Sequence, residues 1–294
     1  MLPNIKTWKS ALIVAALIVP IFANATAKIP TQYKVSATAK YDASAVQQSY
    51  VGLAGGLYSN ALGAALALSS ATEALSKAPD TKALDAARNA WTNARTSYLA
   101  TAAFRFYGGP IDGPKSANRA AGPELRINNN FRTIEAALWG RSKRDGLNAA
   151  ATALHNDVAF VLKEWDPIRR TSYAQEFLQL EGPEAIGRLL RGMAAQAIAL
   201  AKMPANDARG VETVAILSGM HSVWHAQLNK ISAPSVEALL LKIDANAATA
   251  VTTALASAQS QANSKDPALP ATLQKLALAI ANAGTSFGVA ININ

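Results

Sequence analysis

Residues 45–75, AVQQSYVGLAGGLYSNALGAALALSSATEAL, decide the fold class. Val46, Tyr50, Leu53, Leu57, Ala61, Ala64, Leu68, Ala71 and Leu75 recur every three or four residues, the period that places side chains on one face of an α-helix. The stretch predicts one long amphipathic helix that runs through Gly55 and Gly56. Outward from it, the same period returns in Leu84, Ala87, Trp91, Ala94 and Tyr98, behind Asp80 as a capping residue. It returns again from Leu147 to Trp165, from Ile186 to Leu200 behind Pro183, from Val214 to Leu228, from Val236 to Ala247 and from Leu269 to Ile280. Seven such stripes, with no strand-like alternation between them, predict an all-α protein: two antiparallel helical bundles in one compact unit.

Composition points the same way. Alanine supplies roughly a fifth of the 294 residues and aromatics 6%, a balance that favours helices packed through small side chains. The formal charge is +9, from 28 Lys and Arg against 19 Asp and Glu, and there is no cysteine. Disulfides, cysteine nucleophiles and thiolate metal sites are thereby excluded. Lys6 and Lys9 precede an apolar run from Ala11 to Phe22, which ends in the overlapping small-x-small sites Ala23-Asn24-Ala25 and Ala25-Thr26-Ala27. That is the outline of a secretory signal peptide over residues 1–27. Its apolar core is twelve residues long, short of the roughly 17–25 that span a bilayer. Cleavage leaves a mature domain of residues 28–294 with a net charge of +7 and no transmembrane segment. An exported chain is not expected to meet nucleic acid, so the positive charge suits an anionic envelope surface, a polysaccharide or an acidic ligand.

One long interruption separates the stripes. Between Phe106 and Asn130 stand Tyr107-Gly108-Gly109-Pro110-Ile111-Asp112-Gly113-Pro114, then Gly122-Pro123 and Asn128-Asn129-Asn130. It cannot be helical throughout, and its specific Gly and Pro placement argues for a defined path. A short helix is expected to follow, capped by Asn130 and stopped by Gly140, with Phe131, Ile134 and Leu138 on its packing face. Asp166-Pro167 followed by Arg169-Arg170 marks a soft boundary between halves 43–166 and 167–294.

Three segments resemble the imelysin family of bacterial envelope proteins. The first runs from Ala90-Trp91 through Ala94-Arg95 and Tyr98 to Phe104-Arg105-Phe106-Tyr107-Gly108-Gly109-Pro110-Ile111-Asp112, similar to that family's first-bundle helix and the loop leaving it. The second, Phe131-Arg132-Thr133-Ile134-Glu135-Ala136-Ala137-Leu138-Trp139-Gly140, resembles the segment around the family's GxHxxE signature. The third, His221-Ser222, is similar to a His-Ser pair in the family's second half. The resemblance implies an envelope protein, periplasmic or outer-membrane-associated, connected with iron acquisition as a binding or accessory component. Iron or a small ligand and envelope iron-transport components would be its partners, and iron or another divalent metal its cofactor.

The sequence departs from the family where a metal would be held. The signature histidine stands three residues before the glutamate, so that imidazole and carboxylate share one helical face. Here Asn130 takes the glycine position and Arg132 the histidine position, with Glu135 kept. Arginine has no lone pair to offer a cation. Arg132 and Glu135 are expected to pair instead, which makes the metal site degenerate. The candidate ligand-binding residues are Arg105, Asp112, Arg132 and Glu135, and the candidate metal ligands Glu135 and His221. Arg105 and Asp112 either bridge to each other and hold the loop, or line a pocket with Tyr107. His221 and His225 are spaced for two metal ligands on one helix, although His221 also falls within an apolar stripe. Ser222 stands where a zinc peptidase needs its general base. No phosphate loop, dinucleotide turn, GxSxG or HExxH is present. An envelope metallopeptidase and an anionic-glycan or surface-binding module are the alternative readings.

Overall fold

In the computed structural model, residues 41–105, 109, 111, 122–140, 144–203 and 210–293 are described. They form ten α-helices: α1 (Ser44–Lys77), α2 (Thr81–Leu99), α3 (Pro123–Trp139), α4 (Leu147–Glu164), α5 (Tyr173–Leu178), α6 (Gly182–Ala201), α7 (Gly210–His225), α8 (Val236–Ile243), α9 (Ala245–Ser264) and α10 (Leu269–Ser286). The expected all-α architecture is what the structure has. One two-residue hairpin, β1 (Gln227–Leu228) with β2 (Ile231–Ser232), interrupts it between α7 and α8, in the register Gln227↔Ser232 and Leu228↔Ile231. Asn229 and Lys230 both have positive φ, 50° and 67°, as a tight two-residue hairpin turn requires.

Local chemistry sets most helix ends. The Asp80 side chain accepts from the Ala83 amide at the start of α2, and Pro183 lies in the first turn of α6, where a missing N–H costs nothing. Three expectations are corrected. The Asn130 cap does not exist: α3 begins at Pro123, after Gly122, because proline suits a first turn and the asparagines inside the helix find tertiary partners. The stripe that included Leu228 ends its helix at His225, since Ala226 turns to φ 47°. The Val236 to Ala247 stripe is two helices, broken at Asp244 (φ −152°, ψ 89°), whose carboxylate caps α9 by accepting from the Ala247 amide.

α1 packs chiefly on α2 and α4, and α3 on α4; α10 packs on α6 and α9, while α9 also receives α7 and α8. Alanines 54, 61 and 65 of α1 and 87 and 94 of α2 are buried, so the axes approach closely. α1 is long and apolar enough to cross a bilayer by length and composition, yet its buried face runs from Val46 to Leu75 within the core. Two glycines bring the second group of helices onto the end of α2. A Cβ at Gly192 of α6 would lie 2.1 Å from the Ala103 carbonyl oxygen, and one at Gly219 of α7 would lie 2.0 Å from that of Ala100. The 3-10 turn Ala102–Phe104 is thus clamped between α6 and α7, and Gln196 of α6 donates to the Ala102 carbonyl at 3.2 Å. This clamp fixes the seam where the polar side chains of α2, α3 and α7 meet.

Candidate functional site

The seam is a ladder of arginines from the α2 side laid along α3. Arg88 and Arg95 are seven residues apart, hence on one face of α2, with Trp91 between them. Arg88 donates through Nε and Nη2 to the Leu138 carbonyl at 3.0 and 2.9 Å. That carbonyl is one of the last in α3, where a cation is favourable. The Trp91 indole donates to the Phe131 carbonyl at 3.0 Å. Arg95 donates through Nε to Glu212 of α7 at 2.7 Å and through Nη1 to the Asn128 side-chain oxygen at 2.9 Å. Its guanidinium lies 5.3 Å from the centre of the Phe131 ring. One arginine therefore ties three helices, and it joins α2 to α7 across 117 residues of sequence.

Glu135 lies beside this clasp, half-buried on α3. Burial pushes its carboxyl above the ordinary range; Arg95 pulls it back, Glu212 pushes it up and Arg132 pulls it down, in that order of size. Arg95, not Arg132, is thus its leading cationic neighbour. The expected Arg132–Glu135 ion pair is corrected accordingly: Arg132 acts on Glu135 only through its field, and the close pair in the seam is Arg95–Glu212. A helix places positions i and i+3 on one face without obliging their ends to touch, and neither chain reaches across.

Arg105 lies at the other end of the ladder and is fully buried. Its Nη1 donates to Glu124 at 3.0 Å, its Nη2 to the Tyr98 carbonyl at 3.3 Å and to Thr101 Oγ1 at 3.4 Å, and its guanidinium stacks 4.3 Å from the Tyr98 ring centre. A side chain with no exposed surface holds the chain here, through Glu124, Tyr98 and Thr101. Glu124, at the start of α3, is the carboxylate seen in contact with it; Asp112 and Tyr107 lie outside the described residues. Beneath Arg105, the Tyr98 hydroxyl finds no hydrogen-bond partner among the described residues, and burial drives its pKa well above the usual phenol value.

His221 does not join Glu135's neighbourhood. It lies nine residues beyond Glu212 on α7, roughly 13 Å by helical rise, and its charged neighbours are His225 and Glu237. Among the described residues no group of three His, Cys, Asp or Glu side chains is placed to hold a metal ion. The donor set of the seam itself suits a metal poorly. Its two carboxylates, Glu135 and Glu212, already have the Arg95 guanidinium beside them, and Arg132 contributes a second cation where an imidazole would be needed. What the seam offers is a half-buried carboxyl, held above its ordinary pKa by burial, beside a clasped arginine.

Sequence reading passed over Arg95, Asn128 and Glu212 as site residues. The seven-residue step from Arg88 to Arg95 is a usable signal for a polar stripe on α2, but nothing marks Glu212 as its partner.

Fold and seam define a class: a two-bundle helical protein whose halves meet over an arginine–carboxylate junction. The chain belongs to the imelysin family, whose model (Imelysin, Peptidase_M75) matches residues 56–284. Among solved structures it is similar to a putative iron-regulated protein A precursor from Parabacteroides distasonis ATCC 8503. The two share 14% identity and a TM-score of 0.64, over 86% of this chain and 98% of that one. At that identity the likeness is one of fold. No curated protein matches the chain.

Proposed function

We propose that this chain is an exported imelysin-family protein of iron acquisition that acts as a binding or accessory component, with a degenerate metal site. The location is the periplasm, or the outer membrane facing it. The observation that carries the reading is the Arg95 clasp: Glu212 and Asn128 hold a guanidinium beside Glu135, so the seam's cation is a side chain. The name of the similar structure, an iron-regulated protein precursor, supports the iron context, and the leader-like residues 1–27 support export. Ligand binding in the seam uses charge and hydrogen bonds, with Glu135 and Arg132 as the half-exposed contacts and Arg95 as the positioning residue. No covalent step is assigned. A metal-activated water needs an open coordination position on a held ion, and the arginines occupy that charge position.

The test is complementation of a deletion strain of the native host under iron limitation. Wild-type protein is expected to restore growth, whereas Arg95→Leu and Glu135→Gln restore it incompletely although exported and folded. A deletion strain indifferent to iron supply would overturn the iron role. Purified protein that holds one ion per chain and loses it on Glu135→Ala would overturn the degenerate site.

A further inference from the structure

Away from the seam, the end of α7 carries a second polar cluster. His221 and His225 are one turn apart and their ring centres are 4.3 Å apart. The hairpin reverses the chain so that α8 returns against α7, and Glu237 of α8 accepts from His225 Nδ1 at 2.6 Å. The other oxygen of Glu237 accepts from Thr252 of α9 at 2.7 Å, and the Thr252 hydroxyl oxygen accepts from the Trp224 indole at 2.9 Å. Each link has a physical consequence. A carboxylate accepts and cannot donate, so Nδ1 of His225 carries the hydrogen, and it is the neutral ring with that tautomer that has its lone pair on Nε2. With both Glu237 oxygens engaged, the ring's orientation is set by three helices.

That arrangement is the one that outer-shell carboxylates impose on metal-bound histidines, where the partner fixes the tautomer and raises the basicity of the ligating nitrogen. The spacing fits as well: two imidazoles holding one ion at about 2.0–2.1 Å have ring centres roughly 4.5–5 Å apart, close to the separation found. His221 and His225 are both only partly buried, so an ion can reach them.

We propose that His221 and His225 form a two-imidazole site for a borderline divalent transition metal, Zn²⁺ or Cu²⁺, with Glu237 as the positioning residue behind His225. The protein supplies two nitrogens, and water or a donor from a bound molecule completes the coordination. The site is separate from Glu135 and stands whether or not the seam binds a ligand.

Tag-free protein is titrated with Zn²⁺ by calorimetry and with Cu²⁺ under electron paramagnetic resonance. One ion per chain is expected, with hyperfine splitting from two imidazole nitrogens in the wild-type spectrum. His225→Ala and His221→Ala are each expected to weaken Zn²⁺ binding at least 100-fold, and Glu237→Gln by about 10–100-fold, the range for outer-shell partners. His155→Ala, which removes the remaining histidine, and Glu135→Ala leave binding unchanged. Binding that survives loss of both His221 and His225, or a spectrum without two coupled nitrogens, would overturn the proposal. The spectrum is read on unaltered protein, so a variant that fails to fold leaves the test intact.

Discussion

Replacing Arg105 by methionine removes a guanidinium that has no exposed surface and ties α2 to α3. Lost together are the ion pair to Glu124 at 3.0 Å, the bonds to the Tyr98 carbonyl and Thr101 hydroxyl, and the stack on the Tyr98 ring at 4.3 Å. The Glu124 side chain is only 16% exposed, so its charge is left in a poorly solvated position. Breaking a buried pair from one side costs about 3–5 kcal/mol, because the remaining charge is uncompensated. For a chain of this size that is a fall in melting temperature of roughly 6–20 °C, at about 2–4 °C per kcal/mol. The double variant Arg105→Met/Glu124→Leu removes the orphan charge as well, and apolar replacement of a buried pair is often near neutral. It is therefore expected to be more stable than Arg105→Met alone. Urea denaturation of the four proteins in the cycle, followed by circular dichroism, gives the coupling directly. Strict additivity of the two single variants would refute the reasoning, since it would mean that Glu124 does not depend on Arg105 for its compensation.

Glycine substitutions should separate by position. Gly219→Ala drives a Cβ to 2.0 Å from the Ala100 carbonyl oxygen and should cost about 3 kcal/mol or more by overpacking, whereas Gly63→Ala, on an exposed part of α1 with nothing within 4 Å, should gain about 0.5–1 kcal/mol; thermal melts of both compare them. Tyr98→Phe removes a buried hydroxyl without a partner among the described residues and keeps the ring under Arg105, so unfolding free energy should be unchanged or raised by about 1 kcal/mol. Glu135→Gln tests the seam's pH response. The folded carboxyl has the higher pKa, so the folded state binds more protons between the two values and wild-type stability falls as pH rises from the unfolded value through the folded one. The variant should be more stable than wild type at neutral pH and lose that advantage near pH 4; an advantage that is constant with pH would exclude titration of Glu135 as its cause.

The helices were legible because their apolar period is local and because Asp80, Pro183 and Gly140 act on their own neighbours. The errors fall where a distant partner decides. Asn128-Asn129-Asn130 reads as loop or cap, since asparagine bonds to nearby backbone when nothing else is offered. In the fold Asn128 accepts from Arg95, and Asn130 donates to Asp157 of α4 at 3.4 Å, so the helix runs through them to Pro123. The break at Asp244 is hidden because Ile243 and Ala247 continue the apolar period across it. Arg105 shows the same limit in the site. Glu124, 19 residues on, is a partner that only the start of α3 delivers.

Arg95 and Glu212 are 117 residues apart, and their pairing places a cation beside the carboxylates of the seam without any contribution from position 132. Glu212 raises the cost of ionising Glu135 in this poorly solvated space, and a site of that kind needs a cation. A bound metal is one way to supply it; a guanidinium held at 2.7 Å from one carboxylate and within electrostatic reach of the other is another. With Arg95 clasped by α3 and α7, the second cation, Arg132, is not needed to neutralise the carboxylates, and its influence on Glu135 is the smallest of the named charges. The seam then holds together through α2. The consequence reaches beyond the site, because the side chain that neutralises the carboxylates is also the one that joins the first group of helices to the second. Neutralising the seam and docking the two groups of helices are, in this chain, the same interaction.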